Sequence, residues 1–204
     1  LHLAARVHQI KGAAREKYFE INTELTRKIA EAAKKNKVKQ FVFYSTVKVY
    51  GYDCDLYNHN FVLNEYSKCS PINDPYGESK WEAEKILSEI ESDNFIVSVI
   101  RTPMVYGKGV KGNMESLIKL VKKLPVLPFN YTKNRRSFVN IDNLLYLTSL
   151  VIDKEKEGIF LPIDEKPLSL KEMIEGIEEG LKIKRIKVPM IQPFFWILTK
   201  VKPN

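Results

Sequence analysis

Phe41-Val-Phe-Tyr-Ser-Thr-Val-Lys-Val-Tyr-Gly51 and, further along, Asn73-Asp-Pro-Tyr-Gly-Glu-Ser-Lys80 decide how this chain is read. Phe41 to Thr46 is a short run of β-branched and aromatic residues, which predicts a strand. Asn73-Asp74-Pro75 is a helix-start signal, with Asp74 as the cap and Pro75 in the first turn, and the helix it opens runs to about Glu91. Phe95-Ile-Val-Ser-Val-Ile-Arg101 reads as a second buried strand. Working outward, Leu1-His-Leu-Ala-Ala5 reads as the end of another buried strand. Phe19, Leu25, Ile29 and Ala32 give helical periodicity from about Tyr18 to Lys35. Strands and helices in this alternation predict an α/β fold, a doubly wound parallel sheet covered on both faces. Ligands of such sheets sit at the carboxyl ends of the strands, where Thr46 and the stretch Arg101 to Tyr106 fall.

Tyr76 and Lys80 are spaced so that a helix stacks them on one face. A phenol ionises near pH ~10, so it is a poor proton acceptor at neutral pH unless a cation stabilises its anion. Lys80 supplies that cation, and the pair reads as an acid/base centre. The same spacing describes many solvated helix faces; its weight here comes from the strand ends around it.

At 204 residues with 44% apolar and 11% aromatic content, the chain can bury a sizeable core. Cys54 and Cys69 make no disulfide framework and lack metal-ligand spacing, so no metal is expected and a reducing cytoplasm is the expected compartment. The apolar stretch Pro193-Phe-Phe-Trp-Ile-Leu198 is shorter than the roughly 20 residues that span a bilayer, which argues against stable membrane insertion. The net charge is +8, but the lysines are spread along the chain. Their densest group, Lys34, Lys35, Lys37 and Lys39, closes a helix, where cations complement the dipole. Nucleic acid is therefore not an expected partner; an anionic small molecule such as a nucleotide sugar suits the field equally well.

Beyond Gly107 the rhythm loosens, and the domain boundary is expected there: residues 1–107 form one part, and 108–204 mainly another, with some later elements returning to the sheet. Asn113 to Lys123 reads as a helix and Leu124-Pro-Val-Leu-Pro128 as a breaker. Arg135-Arg-Ser-Phe-Val-Asn-Ile-Asp142 reads as a short strand leading into a helix capped by Asp142. Gly158 to Ile163 is a further strand, and Ser169-Leu-Lys-Glu172 has capping-box spacing.

These pieces, in this order, carry a resemblance. His2-Leu-Ala-Ala5, the helix with Asn22, Ser45-Thr-Val-Lys-Val-Tyr-Gly51, Tyr76 to Lys80, Arg101-Thr-Pro-Met-Val-Tyr-Gly-Lys-Gly109 and Arg136-Ser-Phe-Val-Asn-Ile-Asp-Asn-Leu144 are similar to the extended short-chain dehydrogenase/reductases of the NAD-dependent epimerase/dehydratase family. Within it they resemble nucleotide-sugar 4-epimerases. The resemblance implies a Rossmann-like sheet with a smaller C-terminal substrate-binding part, NAD as cofactor, and a homodimer.

It also implies roles. Tyr76 would exchange a proton with a sugar hydroxyl, and Lys80 would lower its pKa and hydrogen-bond the nicotinamide ribose. Thr46 occupies the catalytic Ser/Thr position, where a hydroxyl that donates and accepts can bridge phenol and substrate, with Ser45 as its neighbour. Ala4 and Ala5 would let the backbone approach the cofactor, and Pro103 would pack on the nicotinamide. Asn113 and Arg136 would hold the nucleotide diphosphate, a task that suits a planar guanidinium fork. Asn22-Thr-Glu-Leu-Thr26 carries Leu25 where the family has a glycine, which leaves room for a local shift. His8, His59, Cys54 and Cys69 match no role.

The family's glycine-rich phosphate turn after the first strand, and the ribose-reading residue after the second, are not found in the sequence. The expectation is a truncated chain that alone binds NAD weakly or not at all and is inactive by itself. The resemblance implies Asp-Glu after the catalytic Thr in a dehydratase, so Val47-Lys48 after Thr46 disfavours that reaction. The expected reaction is epimerisation of a UDP-hexose or UDP-N-acetylhexosamine at C4 in polysaccharide precursor synthesis. A nucleotide-sugar reductase or dehydratase, or a non-catalytic dinucleotide-binding scaffold, is the alternative.

Overall fold

The computed structural model describes residues 1–7, 14–51, 63–110, 112–127 and 135–188. His8, Cys54 and His59 lie outside them. In chain order the elements are α1 (Arg15–Tyr18), a π-helical turn (Phe19–Glu24), α2 (Leu25–Lys35), β1 (Gln40–Thr46), a 3₁₀ turn (Val47–Tyr50), α3 (Pro75–Ile90), β2 (Ile96–Thr102), β3 (Met104–Tyr106), α4 (Asn113–Lys123), β4 (Val126–Leu127), β5 (Arg135–Arg136), β6 (Phe138–Asn140), α5 (Ile141–Asp153), β7 (Gly158–Phe160), β8 (Leu168–Ser169), α6 (Leu170–Leu181) and β9 (Ile186–Lys187). They form two compact units. The first comprises Leu1–Pro103 and Asp142–Pro162; the second comprises Met104–Ile141 and the described residues from Ile163 onward.

The first unit is built on a parallel sheet in the order β1-β2-β7. His2 extends it on the free side of β1, bridging Phe43 in parallel, with its N–H donating to Val42 O at 2.8 Å. Strand alternation explains which side chains go where. Phe41, Phe43, Val97 and Val99 point to one face and pack with Ala30 of α2 and Ala83 and Leu87 of α3. Burying each large side chain contributes about 1.5–3 kcal/mol. On the other face, Tyr44 Oη meets Thr148 Oγ1 of α5 at 2.5 Å, and Gln40 Nε2 donates to Val151 O at 3.0 Å. The sheet is thus covered on both faces.

The segment from Tyr18 to Lys35 is helical as its periodicity predicts, but not one α-helix: Phe19–Glu24 is a π-turn. Asn22 sits inside it, fully buried. Its amide clips the backbone of Arg6, accepting from Arg6 N at 2.7 Å and donating to Arg6 O at 3.0 Å, and also donates to Ser79 Oγ at 2.9 Å. These bonds hold the chain beyond Ala5 against α3.

The second unit pairs β3 with β6 and β4 with β9 in parallel, and β5 with β8 antiparallel. Val121 of α4, Leu127 and Ile174 of α6 form a buried apolar cluster. The capping box at Ser169 is present: Ser169 N donates to Glu172 Oε2 at 2.7 Å, and Glu172 N to Ser169 Oγ at 3.2 Å. The expected strand from Arg135 is interrupted into β5 and β6 because the two pair with different neighbours. Asp142 is not the cap of α5. That helix starts at Ile141, which puts Asp142 in its first turn, where its charge still meets the positive end of the dipole.

Candidate active site

The carboxyl end of β1 runs directly into the 3₁₀ turn, and Thr46 caps that turn by accepting from Lys48 N at 3.3 Å. α3 begins close by. Asp74 is its cap, accepting from Gly77 N at 3.3 Å, and Pro75 is its first residue, as the sequence predicts. Asp74 also takes an ion pair from Lys48 Nζ at 2.8 Å, and the same ammonium lies 5.7 Å from the Tyr76 ring centroid.

Gly77 is what allows this approach. A Cβ there would sit 2.8 Å from Lys48 O and 3.1 Å from Pro71 Cβ, closer than real side chains stand. Gly77→Ala is expected to destabilise the protein by about 1 kcal/mol in urea titrations, the clash outweighing the better helix propensity of alanine.

The Thr46 hydroxyl lies close enough to the Tyr76 phenol to act on its ionisation. Burial nevertheless pushes the Tyr76 phenol up to about 12; Thr46 opposes that shift, and the charge of Asp74 adds to it. Lys80 is 1% exposed, its ammonium 3.9 Å from the Phe43 ring centroid. Burial pulls it down to about 7 against the opposing pull of Glu84. The shift of Tyr76 therefore runs opposite to the sequence expectation. The depth at which both groups lie makes the neutral form of each the favoured one, so Lys80 near pH 7 is only partly the cation the phenol requires.

The first unit brings together Thr46, Tyr76, Lys80 and Ser45. Ser45 is buried, and its hydroxyl donates to Glu84. The expected buried strand over residues 1–5 is reduced to the bridge of His2, with Leu1, Leu3 and Ala4 exposed and Ala5 half-buried, while Pro103 is buried just after β2. Asn113 and Arg136 belong to the second unit. Asn113 opens α4, and its side chain lies outside the description. Arg136 is exposed on β5 and borders a cavity of about 260 Å³ whose walls include Met104, Met114, Leu117 and Met173.

Reading for acid/base spacing does not single out the buried ion pair Glu84–Arg101. Its signal was present: Glu84 follows Lys80 at i+4, and Arg101 continues the alternation of Val97 and Val99. Among the described residues no group of three or more His, Cys, Asp or Glu is placed to hold a metal. Among them, too, no helix is long and apolar enough to cross a membrane.

A parallel sheet covered on both faces by helices defines a Rossmann-like domain. Residues 1–160 match the NAD dependent epimerase/dehydratase family, and the chain belongs to that family. It is 37% identical over 197 residues to the UDP-glucose 4-epimerase of Vibrio cholerae, an alignment taking in 93% of this chain and 59% of the relative. It is 26% identical to the N-acetyl-α-D-glucosaminyl-diphospho-ditrans,octacis-undecaprenol 4-epimerase of Escherichia coli O157:H7, covering 89% of this chain and 54% of the relative. The UDP-Glc/GlcNAc 4-epimerase of Campylobacter jejuni superposes with a TM-score of 0.69 at 25% identity, over 93% of this chain and 64% of that one. The UDP-glucuronic acid 4-epimerase of Bacillus cereus, solved with NAD, shares the fold with a TM-score of 0.76 at 22% identity, over 92% and 60% of the two chains. The chain thus spans little more than half the length of the curated relatives.

Proposed function

We propose that the natural polypeptide carrying these residues is an NAD-dependent nucleotide-sugar 4-epimerase acting on a UDP-hexose or UDP-N-acetylhexosamine. The observation that carries this reading is Tyr76 in the first turn of α3 beside Thr46 at the end of β1, with Lys80 buried one helical turn on. The likeness to the Vibrio cholerae relative supports the substrate class.

The residues present suit a nicotinamide dinucleotide. Two alanines beyond a strand end leave the backbone open to a flat ligand, and Lys80 offers a donor for a ribose hydroxyl. Bound there, NAD would supply an acceptor for the hydride from sugar C4 and its return to the other face. Tyr76 Oη takes the proton of the 4-hydroxyl and gives it back, acting in turn as general base and general acid. Thr46 Oγ1, beside that phenol, can both accept and donate, and so bridges it to the sugar oxygen. The positive form of Lys80 favours the phenolate. Pro103, Ser45 and the substrate-side residues Asn113 and Arg136 complete the assignment, and the same family reading carries a cytoplasmic homodimer.

The test is incubation of the natural polypeptide with UDP-GlcNAc and UDP-GalNAc, and with UDP-glucose and UDP-galactose, in the presence of NAD. Interconversion of either pair with NAD regenerated is expected. Consumption of added NAD(P)H without interconversion would instead identify a reductase.

For Arg136, replacement by alanine is expected to weaken UDP binding about 10- to 100-fold while NAD affinity stays unchanged, since a charge-assisted hydrogen bond contributes about 1.5–3 kcal/mol. Calorimetric titration with UDP and with NAD separates the two.

A further inference from the structure

Beside the Thr46–Tyr76–Lys80 cluster lies a second polar group that the reaction does not use directly. In the parallel register Ser45 of β1 is paired with Arg101 of β2. The alternation that sends Phe41, Phe43, Val97 and Val99 into the core under α3 also sends Ser45 and Arg101 to that face. Opposite them, the inward stripe of α3 runs Lys80, Ala83, Glu84, Leu87.

Glu84 is 5% exposed and Arg101 1% exposed. Arg101 donates through Nε to Glu84 Oε2 at 3.1 Å and Oε1 at 3.3 Å, and through Nη2 to Oε2 at 2.7 Å. Its remaining Nη1 donates to Tyr50 Oη at 2.6 Å, and Tyr50 lies in the turn after Thr46. Ser45 Oγ donates to Glu84 Oε1, while Thr102 Oγ1 donates to Ser45 O at 2.9 Å. One carboxylate therefore ties the helix of Tyr76 and Lys80 to the end of β1, where Thr46 stands, and to the end of β2.

An ion pair this deep is a poor way to gain stability, because desolvating both charges offsets most of their attraction, and apolar replacement of such pairs is often neutral or stabilising. Its placement one turn beyond Lys80 points to a different use.

We propose that Glu84 is a positioning residue for the acid/base site: held by Arg101 and Ser45, its carboxylate fixes α3, and with it Tyr76 and Lys80, against the strand ends. The site's role rests on the epimerase reading above; the tether does not. Within reach of the Lys80 charge are Glu84 on its own helix, which favours the ammonium, and His2 bridged beside β1, whose own pKa is held down by burial and by that ammonium.

The experiment compares the wild-type chain with Glu84→Gln/Arg101→Met, which removes both charges and leaves neither unpaired. Lysine labelled at Cε is followed by NMR across pH, with the imidazole of His2 monitored in parallel. The variant is expected to melt at or above the wild-type temperature, while the Lys80 midpoint falls by about one pH unit. A folded variant with an unmoved Lys80 midpoint overturns the proposal. Should the double variant not fold, Ser45→Ala, which removes one hydroxyl and no charge, is tested in the natural polypeptide. A fall of several-fold in kcat at unchanged KM supports the tether, and an unchanged kcat overturns it. Lack of epimerase activity in the wild type would count against the functional reading alone, because the Lys80 titration needs neither substrate nor NAD.

Discussion

On the proposed epimerase reading, Tyr76→Phe in the natural polypeptide, a change of one oxygen, is expected to lower kcat for sugar interconversion by about 10²- to 10⁴-fold, the range a positioned general acid/base supplies. NAD affinity is expected to stay within about threefold, because the ring and its packing against Tyr18 and Lys48 remain. The cost to folding is small, about 1 kcal/mol or less, because the variant no longer buries a hydroxyl. A pH signature accompanies it. In the unfolded chain the phenol ionises near its ordinary value of 10, whereas the folded one keeps its proton to about 12. Wild-type protein therefore loses stability more steeply than the phenylalanine variant as the pH rises across that window. Steady-state kinetics and urea melts at pH 9, 10 and 11 measure both effects. Retained turnover would remove Tyr76 from the chemistry.

Lys80→Met is expected to do two opposite things: raise stability and abolish activity. The ammonium is buried, and its pKa of about 7 stands well below the ordinary 10.5. Below pH 7 both folded and unfolded chains carry the proton, and the folded one bears the full cost of the buried charge, with a ceiling of about 5 kcal/mol by linkage. As the pH rises from 7 towards 10.5 the folded chain has released its proton while the unfolded one still holds it, so the penalty shrinks and then vanishes. The methionine variant is expected to be more stable by about 2–4 kcal/mol at pH 6, with the gap closing by pH 10.5. Urea denaturation at three pH values across that range decides it. A gap that does not narrow would mean that the charge is not the source of the cost.

How much of this could be read from the residues follows from what each reading required. β1, β2 and α3 were legible because alternation and cap chemistry are local. Phe41 and Phe43 face one way, and Asp74-Pro75 starts a helix wherever it stands. The Tyr76/Lys80 pair was legible for the same reason, as a spacing on one helix. The direction of the Tyr76 shift was not, because it depends on burial, which α3 acquires only by packing on the sheet. The Glu84–Arg101 pair depends on parallel register between strands, and register is not written in either strand alone. Asp142 was misplaced by one residue because Ile141 can enter the helix once Asn140 is held in β6. At Leu25 the missing glycine signalled a shift, but its form, a π-turn, had no local signature.

That π-turn has a consequence for how the chain can vary. An α-helix advances about 100° per residue, so one additional residue in a single wide turn rotates everything after it by about that angle. In its present phase the helix buries Asn22, Thr26 and Ala30 together, and Thr26 reaches His2 at 3.0 Å. Loss of one residue between Phe19 and Glu24 would leave the helix intact as a helix yet turn Thr26 and Ala30 away from the sheet. Relatives with and without the wide turn should therefore differ there by a single-residue insertion, accommodated inside a helix rather than in a loop.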